Sequence, residues 1–301
     1  MASERELRKR IRSVKNIAQV TKALEAVSAS RVRRAQAAVL ATRPYAAKAH
    51  EVLHHLSTQA GGGKLLHPLL EVREPIRRTA VVLITGDRGL AGAYNLNMVR
   101  AAMDYARTEL AGQELSWITV GRKGRDLLWR RGAKIVAEFT RLPATPSVLD
   151  IIAIARVAIE EFLKGDVDQV YLAYTRFINT VAQRPEIKRL LPLTPEDVED
   201  HQPRSGPAPA YIYEPSAEAL LAVLLPRFTE LQVFQAVLEA LASEHSARMV
   251  AMRNATDSAT ELVGDLVIAR NKARQLSITS DLLDIAGGAE ALKQVRSAVA
   301  R

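Results

Sequence analysis

No cysteine occurs in the 301 residues, so a disulfide framework, a thiolate nucleophile and a thiolate metal site are all excluded. Aromatic side chains make up only 5% of the chain, few for a wide layered core. Alanine supplies much of the 48% hydrophobic fraction, which suits helices that approach closely. No uninterrupted apolar run reaches the ~18 residues of a membrane span. The opening MASERELRKRIRS lacks the apolar centre of a signal peptide, so a cytosolic protein with no direct membrane span is expected. Neither G-x-x-x-x-G-K-[ST] nor G-x-G-x-x-G occurs, which removes the two commonest phosphate cradles. That weighs against an enzyme acting alone.

What the chain does have is a long helical stretch. Ser216 to Ala286 holds one proline after its start, Pro226, and one glycine, Gly264. Phe234, Leu238, Leu241, His245, Met249, Met252, Ala255, Ala259, Leu262, Leu266, Ala269, Ala273 and Leu276 step mostly by three and four, the spacing of one helix face. Such a helix would run roughly 100 Å and needs a partner along its length. The other candidate is 3–59, where Leu7, Ile11, Val14, Ala18, Thr21, Glu25, Ser28, Val32, Ala35, Val39 and Thr42 form a matching seam. Pro44 is expected to kink this helix, and Gly61–Gly63 to stop it. Glu25 fits a dry seam poorly.

Between the two helices the period changes. Thr79–Thr85, Ser116–Val120, Ala133–Phe139 and Gln169–Phe177 read as strands, alternating with helices over Leu96–Leu110 and Arg125–Arg131 and with one that Ser147 caps and that runs to about Lys164. Strand alternating with helix is the pattern of an α/β sheet with crossover helices. A further extended piece follows Thr180, 194–210 reads as a proline-rich loop, and Tyr211–Glu214 as a short closing strand. The partition is a first helix (1–59), a linker (60–77), an α/β domain (78–214) and a second helix with its tip (215–301). The two terminal helices would pair antiparallel. The apolar Ile278, Leu282, Leu283 and Ile285 near the end of the second would then need a sheath.

Charge is uneven. Residues 1–48 hold twelve Lys or Arg against Glu4, Glu6 and Glu25, which equals the whole excess of +9. An acidic partner for the first helix is implied. Arg31, Arg33 and Arg34 are its densest cluster, and Arg270, Lys272 and Arg274 form a smaller one on the second helix. Nucleic acid would suit such charge, but no aromatics interleave with it and no recognition fold is evident.

Two further motifs invite chemistry. His50-Glu51-Val52-Leu53-His54 matches the zincin pattern, with Glu71 or Glu74 as a conceivable third ligand. It lies near the end of a coiled-coil helix with no strand before it, so these residues read as polar positions facing water. Gly86-Asp87-Arg88-Gly89-Leu90-Ala91-Gly92 links a strand to a helix. A phosphate could sit at that helix start, but a tight turn using Asp87 and Arg88 locally, or on a partner, explains it better.

The residues as a set resemble the gamma subunit of bacterial F-type ATP synthase. IRSVKNIAQVTKALEAVSASRVRRAQ is similar to its opening helix, and TGDRGLAGAYN to its first strand-turn-helix. RFINTVAQRPEIKRLLPL with YIYEP resembles the end of its central domain. LASEHSARMVAMRNATDSATELVGDLVIARNKARQLSITSDLLDIAGGAEAL resembles its C-terminal helix almost throughout. The resemblance implies a long antiparallel coiled coil with a Rossmann-like central domain, and a non-catalytic rotor shaft without a cofactor. It implies one copy per complex, with a hexamer of alpha and beta subunits, an epsilon subunit and a c-subunit ring as partners, on the cytoplasmic side of the bacterial membrane. Carried over by position, Arg31, Arg33 and Arg34 would face acidic levers of beta, while Arg274, Gln275 and Thr279 would touch a beta loop. Tyr211, Tyr213 and Glu214 would form the foot on the ring and epsilon, and Asp87 and Arg88 match the family's turn. The chain departs from the family at Leu24, Ala26 and Val32, where methionine is frequent, and at Ala91, where many bacterial members have cysteine. It also lacks the paired-cysteine regulatory insert of the chloroplast type.

Overall fold

The computed structural model describes residues 3–59, 67–193 and 217–299, with the side chains of 43–59, 217–218 and 290–299 outside that description. The expected glycine stop at 61–63, the 194–210 loop and the closing strand at Tyr211–Glu214 fall outside the described residues. The chain forms two compact units, Met1–Ala26 with Met252–Arg301, and Val27–Ala251. Helices α1 (Glu4–Gln59) and α5 (Ala217–Val299) contribute to both.

In the first unit the seam forms as its spacing predicts. Leu7, Ile11 and Thr21 of α1 are buried, and Val14, Ala18 and Glu25 half-buried. Thr21 Oγ1 lies 2.7 Å from Thr256 Oγ1, and Arg253 reaches the Glu25 carboxylate at 3.2 Å. Position rises on one helix as it falls on the other, so the pair is antiparallel. Glu25, awkward on a dry seam, thus sits at its wet margin, where an ion pair contributes little.

On α5 the predicted stripe holds to Ala259 and then drifts. Leu262 and Ala269 are exposed, while Val263, Leu266, Val267, Arg270 and Ala273 are half-buried. A straight helix turns once per 3.6 residues and slips about 20° per heptad from a 3.5-residue repeat. From Arg274 to Ala289 every residue is exposed. The helix also runs through Gly287 and Gly288 to Val299, beyond the long stretch that closes at Ala286. Each glycine costs about 1 kcal/mol relative to alanine, too little to stop a helix among alanine and leucine neighbours.

The second unit is built on a five-stranded sheet: β1 (Arg78–Ile84), β2 (Glu114–Val120), β3 (Ile135–Phe139), β4 (Gln169–Phe177) and β5 (Gln183–Leu191), in the order β3-β2-β1-β4-β5. The first four pair in parallel, and β5 joins β4 antiparallel. Central β1 alternates its side chains between two cores, as the pleat requires. Val81 and Leu83 face α2 (Tyr94–Thr108) and α3 (Arg122–Trp129) through Met98, Val99, Ala102 and Leu128. Ala80, Val82 and Ile84 face α4 (Val148–Leu163) and α5. Ser147 and Asp150 close a capping box at the start of α4. A short 3-10 turn, Pro68–Leu70, buries Leu69 in the α4–α5 core within the expected linker. Arg73 pins that segment by donating to the carbonyls of Phe162 and Val167 at 2.8 and 3.0 Å.

The largest difference from expectation lies in α5. No residue from Phe228 to Arg248 is exposed, so this section is buried on all sides rather than along one stripe. Helix α5 is long and apolar enough to cross a membrane by composition, yet more than half of its most apolar stretch is buried inside the protein, the behaviour of a core helix. Ser28, Val32, Ala35 and Val39 of α1 are buried in the same unit, and Val39 shares a core with Leu231, Phe234 and Leu238.

The absence of native cysteine makes the antiparallel register directly testable. A Thr21→Cys/Thr256→Cys chain is expected to form one intramolecular disulfide on mild oxidation, seen as a mobility shift reversed by reductant. Failure to cross-link would contradict the seam.

Candidate functional site

Open α/β sheets bind ligands in the crevice beyond the carboxyl ends of their strands, where the strand order reverses. Here that point lies between β1 and β4, and α5 fills it. Ser243 Oγ donates to the carbonyl of Thr175 near the end of β4 at 3.0 Å. Tyr94 at the start of α2 donates its hydroxyl to the Ala240 carbonyl at 3.0 Å. The Glu244 carboxylate occupies the space beside Gly86, just past β1. A Cβ at Gly86 would lie 2.7 Å from its Cδ and Oε1, so only glycine leaves that notch open.

Glu244 and Arg248, one turn apart, form a buried ion pair. Arg248 also donates to the Gly89 carbonyl from Nε and Nη2, both at 3.3 Å. Burial pushes the Glu244 carboxyl above its ordinary range; Arg248 pulls it back, and Arg31 adds to that pull. Breaking such a pair by removing one partner is far more costly than the pair's net contribution, since a lone charge is left buried.

The turn from Gly86 to Gly92 is built around this node. Gly86 N–H donates to Asn95 Oδ1 at 2.8 Å, so it is engaged within the protein. Asp87 receives the Arg122 N–H at 3.0 Å and the Arg141 N–H at 2.8 Å, tying the loops after β2 and β3 to the loop after β1. Of the two uses the sequence leaves open for Asp87, local or on a partner, these two bonds are local. The Arg88 side chain is exposed, and Leu90 holds φ 62° with 64% of its surface exposed.

The basic cluster on α1 divides. Arg33 and Arg34 are exposed and Arg31 is half-buried. The charge of Arg31 acts on Glu244 and His245, and that of Arg34 on His245. Arg274, Gln275 and Thr279 are all exposed, in the first unit. Tyr211, Tyr213 and Glu214 lie outside the described residues. His50, Glu51 and His54 are helical within α1, but their side chains lie outside the description. Among the described residues no group of His, Asp and Glu is placed to hold a metal. Sequence reasoning read His245 as a seam position and passed over Glu244 and Arg248. The available signal was the S-E-H-S-A-R run interrupting an apolar helix, five polar or charged residues within six.

His245 is 5% exposed. Burial pushes its pKa down to about 4, with Arg248, Arg31 and Arg34 acting in the same direction.

The ATP synthase family model matches residues 3–292. The ATP synthase gamma chain of Roseiflexus castenholzii is 49% identical over 296 residues, covering 98% of this chain and all of that one. Those of Herpetosiphon aurantiacus and Chloroflexus aurantiacus are each 47% identical, over 98% and 97% of this chain and 100% and 99% of theirs. Among solved structures, the rotor of Euglena gracilis mitochondrial ATP synthase matches with a TM-score of 0.63 at 21% identity, covering 91% of this chain and 98% of that one. A chain of the Euglena OSCP/F1/c-ring assembly matches at 0.66 and 24%, covering 96% and 94%. These structural likenesses establish the fold.

The buried histidine yields a pH prediction. The native chain keeps His245 neutral down to about pH 4, whereas an unfolded chain protonates it near the ordinary histidine value of 6.5. Stability present above pH 6.5 is therefore lost as pH falls toward 4, by about 3 kcal/mol from this group. Urea unfolding at pH 7.5 and 4.5 should show a steeper loss for the native chain than for His245→Gln; equal losses would contradict the assignment. With the family match spanning nearly the whole chain and the fold agreeing with it, this chain belongs to the ATP synthase gamma chain family.

Proposed function

We propose that this gamma chain is the central rotor shaft of its ATP synthase, coupling ion flow through the membrane sector to ATP synthesis, and ATP hydrolysis to rotation. One observation carries the reading. From Arg274 to Ala289 α5 is exposed throughout, and Leu276, Ile278, Leu282, Leu283 and Ile285 stand open to solvent. A helix end presenting that many apolar side chains needs a sheath, which a hexamer of alpha and beta subunits would supply. The chain would act in one copy on the cytoplasmic side of the bacterial membrane, its α/β domain (78–214) meeting the epsilon subunit and the c-subunit ring. The terminal helices (1–59 and 215–301) would serve as the shaft and 60–77 as the join.

The mechanism requires no bond chemistry in this chain. An asymmetric shaft shows different faces to three chemically identical catalytic sites. Each angle favours a different conformation at each site, and only such differential contact free energy shifts populations. Linkage makes the coupling reciprocal: nucleotide binding biases the angle, and a driven angle biases nucleotide affinity.

Within this reading Arg33 and Arg34, exposed on α1, face acidic levers of beta, and Arg31 adds its charge from a half-buried position. Arg274, Gln275 and Thr279 meet a beta loop, Arg88 presents the turn held by Asp87, and Tyr211, Tyr213 and Glu214 form the foot. Neutralising Arg31, Arg33 and Arg34 together to glutamine is expected to weaken torque transfer or assembly, read as a lower rate of coupled ATP synthesis. An unchanged rate would count against their role. Purification from native membranes tests the function itself. The polypeptide should elute inside a large complex with nucleotide-binding partners, and elution alone as a free protein would contradict it.

A further inference from the structure

Apolar contacts hold α5 against the sheet but do little to fix its rotation. The hydrophobic effect is non-directional, and a helix rolling in an apolar bed exchanges one ridge of side chains for the next. Resistance to rolling must come from directional contacts between the helix and fixed backbone on both sides of its axis. The second unit has such a set at one place. Successive residues on a helix point about 100° apart. Ser243 bonds the carbonyl of Thr175 on β4, while its neighbour Glu244 enters the notch at Gly86 beyond β1. The two contacts therefore brace the helix from the two strands that flank the switch point. One turn further on, Arg248 holds the Glu244 carboxylate and two 3.3 Å bonds to the Gly89 carbonyl.

A buried ion pair is a poor device for stability alone, because apolar residues of similar volume commonly replace one at no loss. Its directionality is what apolar residues cannot supply. We propose that Glu244 and Arg248, seated against Gly86 and Gly89, are positioning residues that key α5 to the sheet and bear the torque passing between them. The proposal rests on the shaft reading. With the key intact, rotation of the sheet is delivered as rotation of α5. Without it, part of each turn is lost as roll of the helix in its bed.

The test is made on the whole complex reconstituted in vesicles, with ATP hydrolysis and the membrane potential generated by it, read by a potential-sensitive dye, measured together. The variant Glu244→Met/Arg248→Met fills the same space without charge. It should assemble and melt close to the native complex and continue to hydrolyse ATP, yet generate about fivefold less potential-driving transport per ATP hydrolysed. Gly86→Ala, which displaces the carboxylate from its notch while leaving both charges in place, should lower the same ratio and serves if the double variant does not assemble. Glu244→Gln/Arg248→Gln, which keeps hydrogen-bonding groups in place without leaving either charge alone, should recover part of it. A native transport ratio in either the double variant or Gly86→Ala would overturn the key. A native complex that hydrolyses ATP without generating potential would instead overturn the shaft reading beneath it.

Discussion

The section of α5 from Phe228 to Arg248 belongs to the core of the α/β unit on every side, and the other elements of that unit are arranged around this burial. Sheet residues Val82, Leu172 and Leu191 cover one flank, α4 contributes Ile151, Ile154 and Phe162, and Val39 of α1 joins the same cluster. Fully burying one such side chain contributes about 1.5–3 kcal/mol. A helix that shares so many of these contacts cannot leave the sheet without dismantling the unit. The same covalent helix continues to Val299.

This embedding also explains how a doubly wound sheet serves a non-catalytic role. Its crevice at the switch point is occupied by the chain's own Ser243 and Glu244, and its first glycine-bearing turn by Arg248 and Asn95. The architecture that elsewhere cradles a phosphate here grips a helix. Asp87 extends the grip by holding the loops after β2 and β3 through their backbone N–H groups. The edge of the sheet where these loops gather is thereby made rigid from one carboxylate.

Much of this was legible in the sequence, because periodicity reports faces. The seam from Leu7 to Thr42 is buried or half-buried at every position named, and the strands from β1 to β4 fall within a few residues of their expected limits. Ser147 was legible as a cap because a serine before an apolar run has few other uses. Periodicity fails where a helix is buried all round. The α5 stripe through Phe234, Leu238 and Leu241 was real, but Val233, Ala236, Val237 and Ala240 are buried as well, and an apolar run does not say what covers its further faces. The Glu244–Arg248 node was hidden for a related reason: a glutamate and an arginine four apart read as an exposed helix pair. Only the glycine at 86, 158 residues away in sequence, marks them as interior. Arg31, counted with the surface cluster, proves half-buried, and its charge reaches Glu244 and His245.

On the shaft reading, the sheet and the section of α5 embedded in it turn together against a stationary head. With no native cysteine, Leu149→Cys, 80% exposed at the start of α4, offers a unique attachment point for a probe. With the head immobilised and ATP supplied, single-molecule observation should show the probe turning continuously in one direction. A probe that stays fixed relative to the head while ATP is hydrolysed would contradict the account.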